Sequence, residues 1–366
     1  MLNLRHNKAN LNFTIINTAK QPDLTIGIPV LNEEEHIERV VKGFLQSSYP
    51  SIVEILIADG GSTDRTQEVV KELSESDSRV KLIHNPEKFQ SFALNKMIEA
   101  AEGEIFLRAD GHCIYDDKYI EKNVEALLQP SVKNAGGAQR YVAENSVQAG
   151  IALAVNSFLG NGGAKYMDEN YEGFADTVFL GCFWTKDLRK LGGYNTRNIT
   201  NQDSELNLRL AEHFGECIYV KPDIKSWYYP RETYLKLFRQ YFRYGRGRFL
   251  TKAEHPKISP IRGLLPFLFI CFLGVYAIFD LLSPHNYFFI SFLTILIGIL
   301  LGESIRTVIK TKQNFKDEIW QADSKPPGII SRWMNTVVSI VTMQFAHFSG
   351  FSYQLVKRVI FRIDGW

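Results

Sequence analysis

LTIGIPVLNEEEHIERVVKGFLQSSYPSIVEILIAD, residues 24–59, contains an apolar run, a helical pattern and a second apolar run within the length of one strand-helix-strand unit. The same alternation continues through DRTQEVVKELSES, RVKLIHN, FALNKMIEAAEG and EIFLRAD, ending at Asp110. A repeat of about 30 residues per strand plus helix is the size of a βαβ unit. It predicts an α/β, Rossmann-like nucleotide-binding architecture, a mostly parallel sheet with helices on both faces.

Ligands of open parallel sheets bind where the carboxyl ends of the strands turn into helices. Three such ends carry chemistry. The first run closes with Asn32, Glu33 and Glu34. Asn32 capping the next helix, with the glutamates favouring its first turn, explains these residues equally well. The second run closes with Asp59-Gly60-Gly61-Ser62-Thr63-Asp64, whose paired glycines let backbone approach a ligand. The fourth delivers Arg108-Ala109-Asp110-Gly111-His112. A carboxylate and an imidazole two residues apart can converge on one divalent cation and leave positions open for diphosphate oxygens. A turn aspartate beside a solvated histidine is the plainer account of that pair alone.

The chain has 366 residues, enough for about two units at ~150 residues each. Lys and Arg total 42 against 40 for Asp and Glu, so no global charge calls for nucleic acid as a partner. Four cysteines without a CxxC pair argue against a zinc knuckle or disulfide framework and for a reducing compartment. The extension 1–23 holds no signal-peptide core, which keeps the following domain, 24–255, in the cytoplasm.

From residue 256 to 366 the composition turns membrane-like. Segments 263–282 and 286–305 are each long enough to span a bilayer, with Ser283-Pro284-His285-Asn286 as the turn. Arg246, Arg248, Lys252, Lys257 and Arg262 flank one arm, and Arg306, Lys310, Lys312 and Lys316 the other. The positive-inside rule puts both flanks in the cytoplasm, at the inner membrane. A buried helical hairpin of a soluble domain is the competing account, since Pro266 and Asp280 interrupt the first arm. Residues 311–330 read as a polar connector. The stretch 333–356 carries Asn335, Gln344 and His347 and is expected to be a re-entrant or interfacial helix, or a third span.

The ordered series IPVLNEE, ADGGSTDRT, NKMIEAAEGEIFLRADGH, FLGCFWTKDLRKLGGYN and NQDSELNLRL resembles the family 2 glycosyltransferases of the GT-A fold, over residues 24 to about 250. The apolar hairpin and AHFSGF further resemble bacterial enzymes of succinoglycan-type exopolysaccharide assembly. The resemblance implies an inverting transfer from a nucleotide-diphosphate sugar, UDP-linked by expectation, to a hydroxyl of a lipid-linked glycan at the membrane surface. It implies that Glu33 and Asp59 hold the nucleotide base and ribose. The resemblance also implies that Asp110 corresponds to the last acid of a DXD motif, holding Mn²⁺ or Mg²⁺ against the diphosphate, with His112 as a second ligand. It implies that Asp203 is the general base that deprotonates the acceptor; capping its own helix is compatible with that role. Gly193 and Tyr244 are implied acceptor contacts. Gln240-Tyr241-Phe242-Arg243-Tyr244 resembles the QxxRW motif, with Arg243 on diphosphate and Tyr244 stacked on a sugar. An amphipathic helix seated on anionic lipid accounts for the same residues.

Three positions depart from the family pattern: Arg108 where DXD begins with Asp, Gln202 before the base, and Tyr244 for Trp. Two alternatives follow. A polyprenyl-phosphate sugar transferase has an anionic acceptor and needs no base at Asp203, and a non-catalytic membrane scaffold would tolerate Arg108 and Gln202. Acceptor contacts are also expected from 141–175, a segment whose fold the sequence does not disclose.

Overall fold

A computed structural model describes residues 21–282 and 288–366. The expected turn at Ser283-Pro284-His285-Asn286 and residues 1–20 of the expected extension lie outside the described residues.

The first half follows the predicted alternation. Strands β1 (Leu24–Val30), β2 (Ile52–Asp59), β3 (Val80–His84) and β4 (Ile105–Arg108) alternate with helices α1 (Ile37–Leu45), α2 (Thr66–Ser76) and α3 (Gln90–Ala100). All of these strands pair in parallel, in the order β3-β2-β1-β4. β1 is central and almost wholly buried, which is why its sequence is continuously apolar rather than alternating. α1 buries Ile37, Val40, Val41 and Phe44, the i, i+3, i+4, i+7 stripe of a helix laid on a sheet.

Beyond Asp110 most strands are short: β5 (Ile114–Tyr115), α4 (Tyr119–Leu127), β6 (Asn134–Gly137), β7 (Gln139–Tyr141), α5 (Ser146–Val155), α6 (Phe158–Asn161), β8 (Gly173–Phe174), β9 (Phe179–Trp184), α7 (Thr185–Lys190), α8 (Gln202–Phe214), β10 (Ile218–Val220) and β11 (Ser226–Tyr228) follow. The sheet continues from β4 as β9-β6-β10-β8, where only β6 and β10 pair in parallel. The eight-stranded sheet is therefore parallel on one side and mixed on the other. A small second sheet, β5-β11-β7, lies beside the carboxyl edge.

Four helices complete the chain: α9 (Tyr234–Glu254), α10 (Leu265–Leu282), α11 (Phe288–Lys310) and α12 (Ile329–Val359). Residues Ile261–Leu282 and Phe288–Lys310 are long and apolar enough to cross a membrane, and only 6% of each apolar window is buried. Side chains such as Val275, Phe279, Ile290 and Ile295 stand more than half exposed, which a buried soluble hairpin would not leave in water.

Two expectations take form here. The stretch 333–356, expected as a re-entrant or interfacial helix or a third span, lies within one continuous helix, α12, docked between α5 and α9. A Cβ on Gly350 would stand 1.9 Å from the Phe242 carbonyl oxygen, one on Gly245 2.1 Å from that of His347, and one on Gly150 2.6 Å from the Asn335 carbonyl carbon. Glycine permits that approach. The polar residues are absorbed by protein: Tyr234 donates to Asn335, Gln344 donates to the Leu159 carbonyl, and His347 is buried. Segment 311–330 is more than a polar connector, because Phe315, Ile319 and Trp320 pack against Ala143, Ala149 and Leu153.

Candidate functional site

β4 ends in Arg108, whose side chain is 4% exposed and lies between two carboxylates. Its Nη1 donates to Asp203 Oδ1, and its Nη2 stands 3.5 Å from Asp110 Oδ1. Burial opposes the guanidinium charge, but Asp203 and Asp110 outweigh it and hold the group protonated above its usual range. Asp203 sits in the first turn of α8. It is not the cap: Asn201 holds that position in the left-handed region, at φ 67°, and the Asp203 side chain turns to Arg108 instead. Burial pushes the Asp203 carboxyl up, against the pull of Arg108, and nearby Asp110 adds to the rise.

Asp110 is held at its backbone, where its N–H donates to the Tyr115 hydroxyl at 2.7 Å. Its carboxylate makes only long contacts, to Arg108 and, at 3.4 Å, to Gln90 Nε2. Gln90 in turn accepts from Gln202 Nε2 at 2.6 Å. Gln202 is thus linked through Gln90 to Asp110. Neither glutamine was expected to act. Gln90 opens the helix after β3, so the same strand-edge rule applied to the third strand finds it.

His112 Nδ1 lies 2.8 Å from Glu33 Oε1. Burial opposes a charge on His112, but the Glu33 hydrogen bond and Asp110 raise its pKa overall. A histidine that binds a metal through one ring nitrogen characteristically donates its other N–H to a carboxylate, and Glu33 Oε1 is placed to accept from His112 Nδ1. Asp110 and His112 offer one carboxylate and one imidazole, donor types that suit a divalent ion. Among the described residues, the group of three whose ligand atoms lie within 4.8 Å of one another is Glu205, Glu254 and His255. Glu33 therefore meets His112.

Two further expected residues are engaged by their own surroundings. Asp59 is 1% exposed, and its carboxylate accepts from Gly61 N–H, Ser62 N–H, the Ser62 hydroxyl and Gln67 Nε2. It shapes the Gly60–Ser62 loop. Gly193 is buried at φ 69°, and a Cβ there would meet Asn95 Oδ1 at 2.4 Å. It is required by a tight turn and does not line the cavity described next. Asn32, at φ 57°, accepts from Thr63 N–H at 2.8 Å and joins two edge loops rather than capping α1, whose cap is His36.

A cavity of about 1730 Å³ opens at this edge. Asp110, His112 and Asp203 line one wall; Arg243 and Tyr244 of α9 line another. Tyr244 is 39% exposed and its hydroxyl accepts from Gln240 Nε2 at 2.9 Å. The expected residues Asp110, His112, Asp203, Arg243 and Tyr244 are thus brought to one space. Arg231, Arg239 and Arg248, which were not expected at a site, line it too. Segment 141–175 contributes α6 to the rim, through Phe158, Leu159 and Gly160.

Residues 25–186 match the model for glycosyl transferase family 2. A succinoglycan biosynthesis protein, ExoA of Rhizobium meliloti, is 35% identical over 66% of this chain and 73% of its own length. The dolichyl N-acetyl-alpha-D-glucosaminyl phosphate 3-beta-D-2,3-diacetamido-2,3-dideoxy-beta-D-glucuronosyltransferase of Methanococcus voltae is 31% identical over 79% of this chain and 89% of its own. The fold matches that of mannosyltransferase PcManGT from Pyrobaculum calidifontis, solved with GDP-Man and Mn²⁺. That structure has a TM-score of 0.53 and 17% identity, and the match covers 92% of this chain and 87% of that one. With a GT-A-like sheet, its strand-edge cavity and relatives that synthesise glycans, the chain belongs to glycosyl transferase family 2.

Proposed function

We propose that this glycosyltransferase moves a sugar, with inversion, from a nucleotide-diphosphate donor, UDP-linked by preference, to a hydroxyl of a lipid-linked glycan. The work is done at the cytoplasmic face of the inner membrane. One observation carries this reading: Asp203 and Asp110 meet across Arg108 at the strand edge, in a cavity that also reaches α9 and the apolar helices. The Methanococcus voltae relative, whose name specifies a dolichyl-phosphate-linked sugar acceptor, supports the choice of acceptor class.

Asp203 Oδ1 is engaged by Arg108, and among the described residues Oδ2 has no hydrogen-bond partner. Oδ2 takes the acceptor proton as the acceptor oxygen bonds to the anomeric carbon and the bond to diphosphate breaks. Attack opposite the leaving group inverts that carbon without an enzyme nucleophile. Arg243 holds the diphosphate through its guanidinium fork, and Tyr244 offers a ring face to a sugar. A divalent ion, Mn²⁺ or Mg²⁺, would be held by Asp110 and His112 and would supply charge stabilisation to the departing diphosphate.

The test is UDP release by detergent-solubilised protein from a panel of nucleotide sugars, with lipid-linked acceptor extract and with or without Mn²⁺ or Mg²⁺. Metal-dependent release from one donor is expected. Intact donors throughout, with a competent extract, would leave the scaffold reading standing.

A further inference from the structure

The cavity is larger than its donor needs. Small-molecule sites usually enclose about 300–1,000 Å³, and this one continues past the carboxylates to a cleft walled by Leu268, Phe269 and Phe272 of α10 and Leu293, Leu296 and Ile297 of α11. Among the described residues, those helices are the two long and apolar enough to cross a bilayer, and a cleft with such walls favours an apolar occupant.

Between the polar end and this cleft stands Arg248. It is half-buried on α9, and a Cβ built on Gly263, just before α10, would lie 3.1 Å from its Cδ. Neighbouring Arg262 is neutralised by Asp176, and Lys236 by Glu232. Arg248 has no ion pair among the described residues, and neither have Arg239 and Arg243 on the same helix. Desolvation lowers the Arg248 pKa from its usual value, and the nearby His347 imidazole is pushed down to about 4 by burial and by Arg248, so it adds no charge of its own. Asp176, already paired with Arg262, lies near enough to favour the Arg248 charge without forming an ion pair with it. A desolvated cation held only by so distant a carboxylate is costly unless a ligand supplies a closer anion. Guanidinium forks match phosphate oxygens best.

We propose that Arg248 seats the phosphate of a prenyl-phosphate-linked acceptor, whose isoprenoid chain lies in the cleft between α10 and α11. The inference rests on the lipid-linked acceptor reading above and gives it a location. Charge and apolarity meet there in the order that a lipid phosphate presents them. The sugar end then points from Arg248 along the cavity to Asp203.

The experiment measures binding of farnesyl diphosphate, inorganic pyrophosphate, farnesol and UDP to the detergent-solubilised full chain by calorimetry. Farnesyl diphosphate is expected to bind at least tenfold more tightly than either pyrophosphate or farnesol. Arg248→Gln should weaken it about tenfold while leaving UDP affinity unchanged, and Arg248→Lys should recover part of the loss. A Phe269→Asn change should weaken farnesyl diphosphate without affecting pyrophosphate. Equal binding of farnesyl diphosphate and pyrophosphate, or an Arg248→Gln loss that falls equally on UDP, overturns the proposal and returns Arg248 to the donor. Because binding needs no turnover, a failed transfer assay with intact prenyl selectivity would count against the acceptor chemistry alone. Transfer to a lipid-free glycan with an unchanged KM would remove the lipid seat and leave the transferase.

Discussion

The two walls of the cavity carry opposite charge and are built differently. The strand-edge wall is acidic and interlocked: Asp203, Arg108, Asp110, Gln90 and Gln202 form one connected set, and His112 is held by Glu33. The α9 wall is basic and open, with Arg239, Arg243 and Arg248 forming no ion pair among the described residues. Groups that perform bond-making need fixed geometry, which mutual hydrogen bonds supply. Groups that hold anions gain from staying unpaired until the anion arrives, because an internal partner would have to be displaced.

If that division holds, variants of the acidic wall lose turnover and variants of the basic wall lose affinity. The largest effect belongs to Asp203→Asn, expected to cut kcat by ~10²–10⁴-fold, the usual worth of a positioned base, with donor KM nearly unchanged. Full activity in that variant would mean the acceptor arrives already anionic, as a polyprenyl phosphate does. Next is Glu33→Gln, which loosens the carboxylate behind His112. Losing the carboxylate that orients a ligating histidine costs ~10–100-fold in metal affinity, so the Mn²⁺ concentration for half-maximal rate should rise by that order. A rise in donor KM without any change in metal response would instead restore Glu33 to the nucleotide. Arg243→Ala is expected to raise donor KM by about tenfold or more, from the loss of a charge-assisted hydrogen bond of ~1.5–3 kcal/mol, and to spare kcat.

How much of this the sequence disclosed follows from element length. Strands of four to eight residues rich in apolar side chains advertise themselves as apolar runs, so β1 to β4 and their edge loops were legible. β6 reads Asn-Ala-Gly-Gly and β8 only Gly-Phe, so the mixed side of the sheet left no periodicity to find. That Asp110, His112 and Asp203 share one cavity was legible because the edge rule and motif order agree. A sequence does not show that four donors of its own surroundings engage the Asp59 carboxylate. Nor does it show the tight turn at Gly193, since a glycine marks a backbone need as readily as a ligand. Arg248 was read only as a flanking charge, since its place at the cavity depends on how α9 meets α10.

The smallest expected effect isolates what Arg108 does for its neighbour. Burial raises the Asp203 carboxyl and Arg108 lowers it, so the acid limb of kcat should lie above the ordinary aspartate range in the parent chain. Below that limb Asp203 is protonated and cannot serve as a base; above it the base is available. Removing the cation in Arg108→Gln leaves burial and Asp110 unopposed, and both raise the carboxyl. The limb should therefore move to higher pH, while the plateau rate changes by less than about tenfold, a 1.4 kcal/mol effect. Rate against pH, with thermal unfolding to confirm that the variant is folded, decides the point. An unmoved limb with a collapsed plateau would mean that Arg108 touches the reacting diphosphate itself, and the acidic wall would then contain a phosphate-binding cation of the kind assigned here to α9.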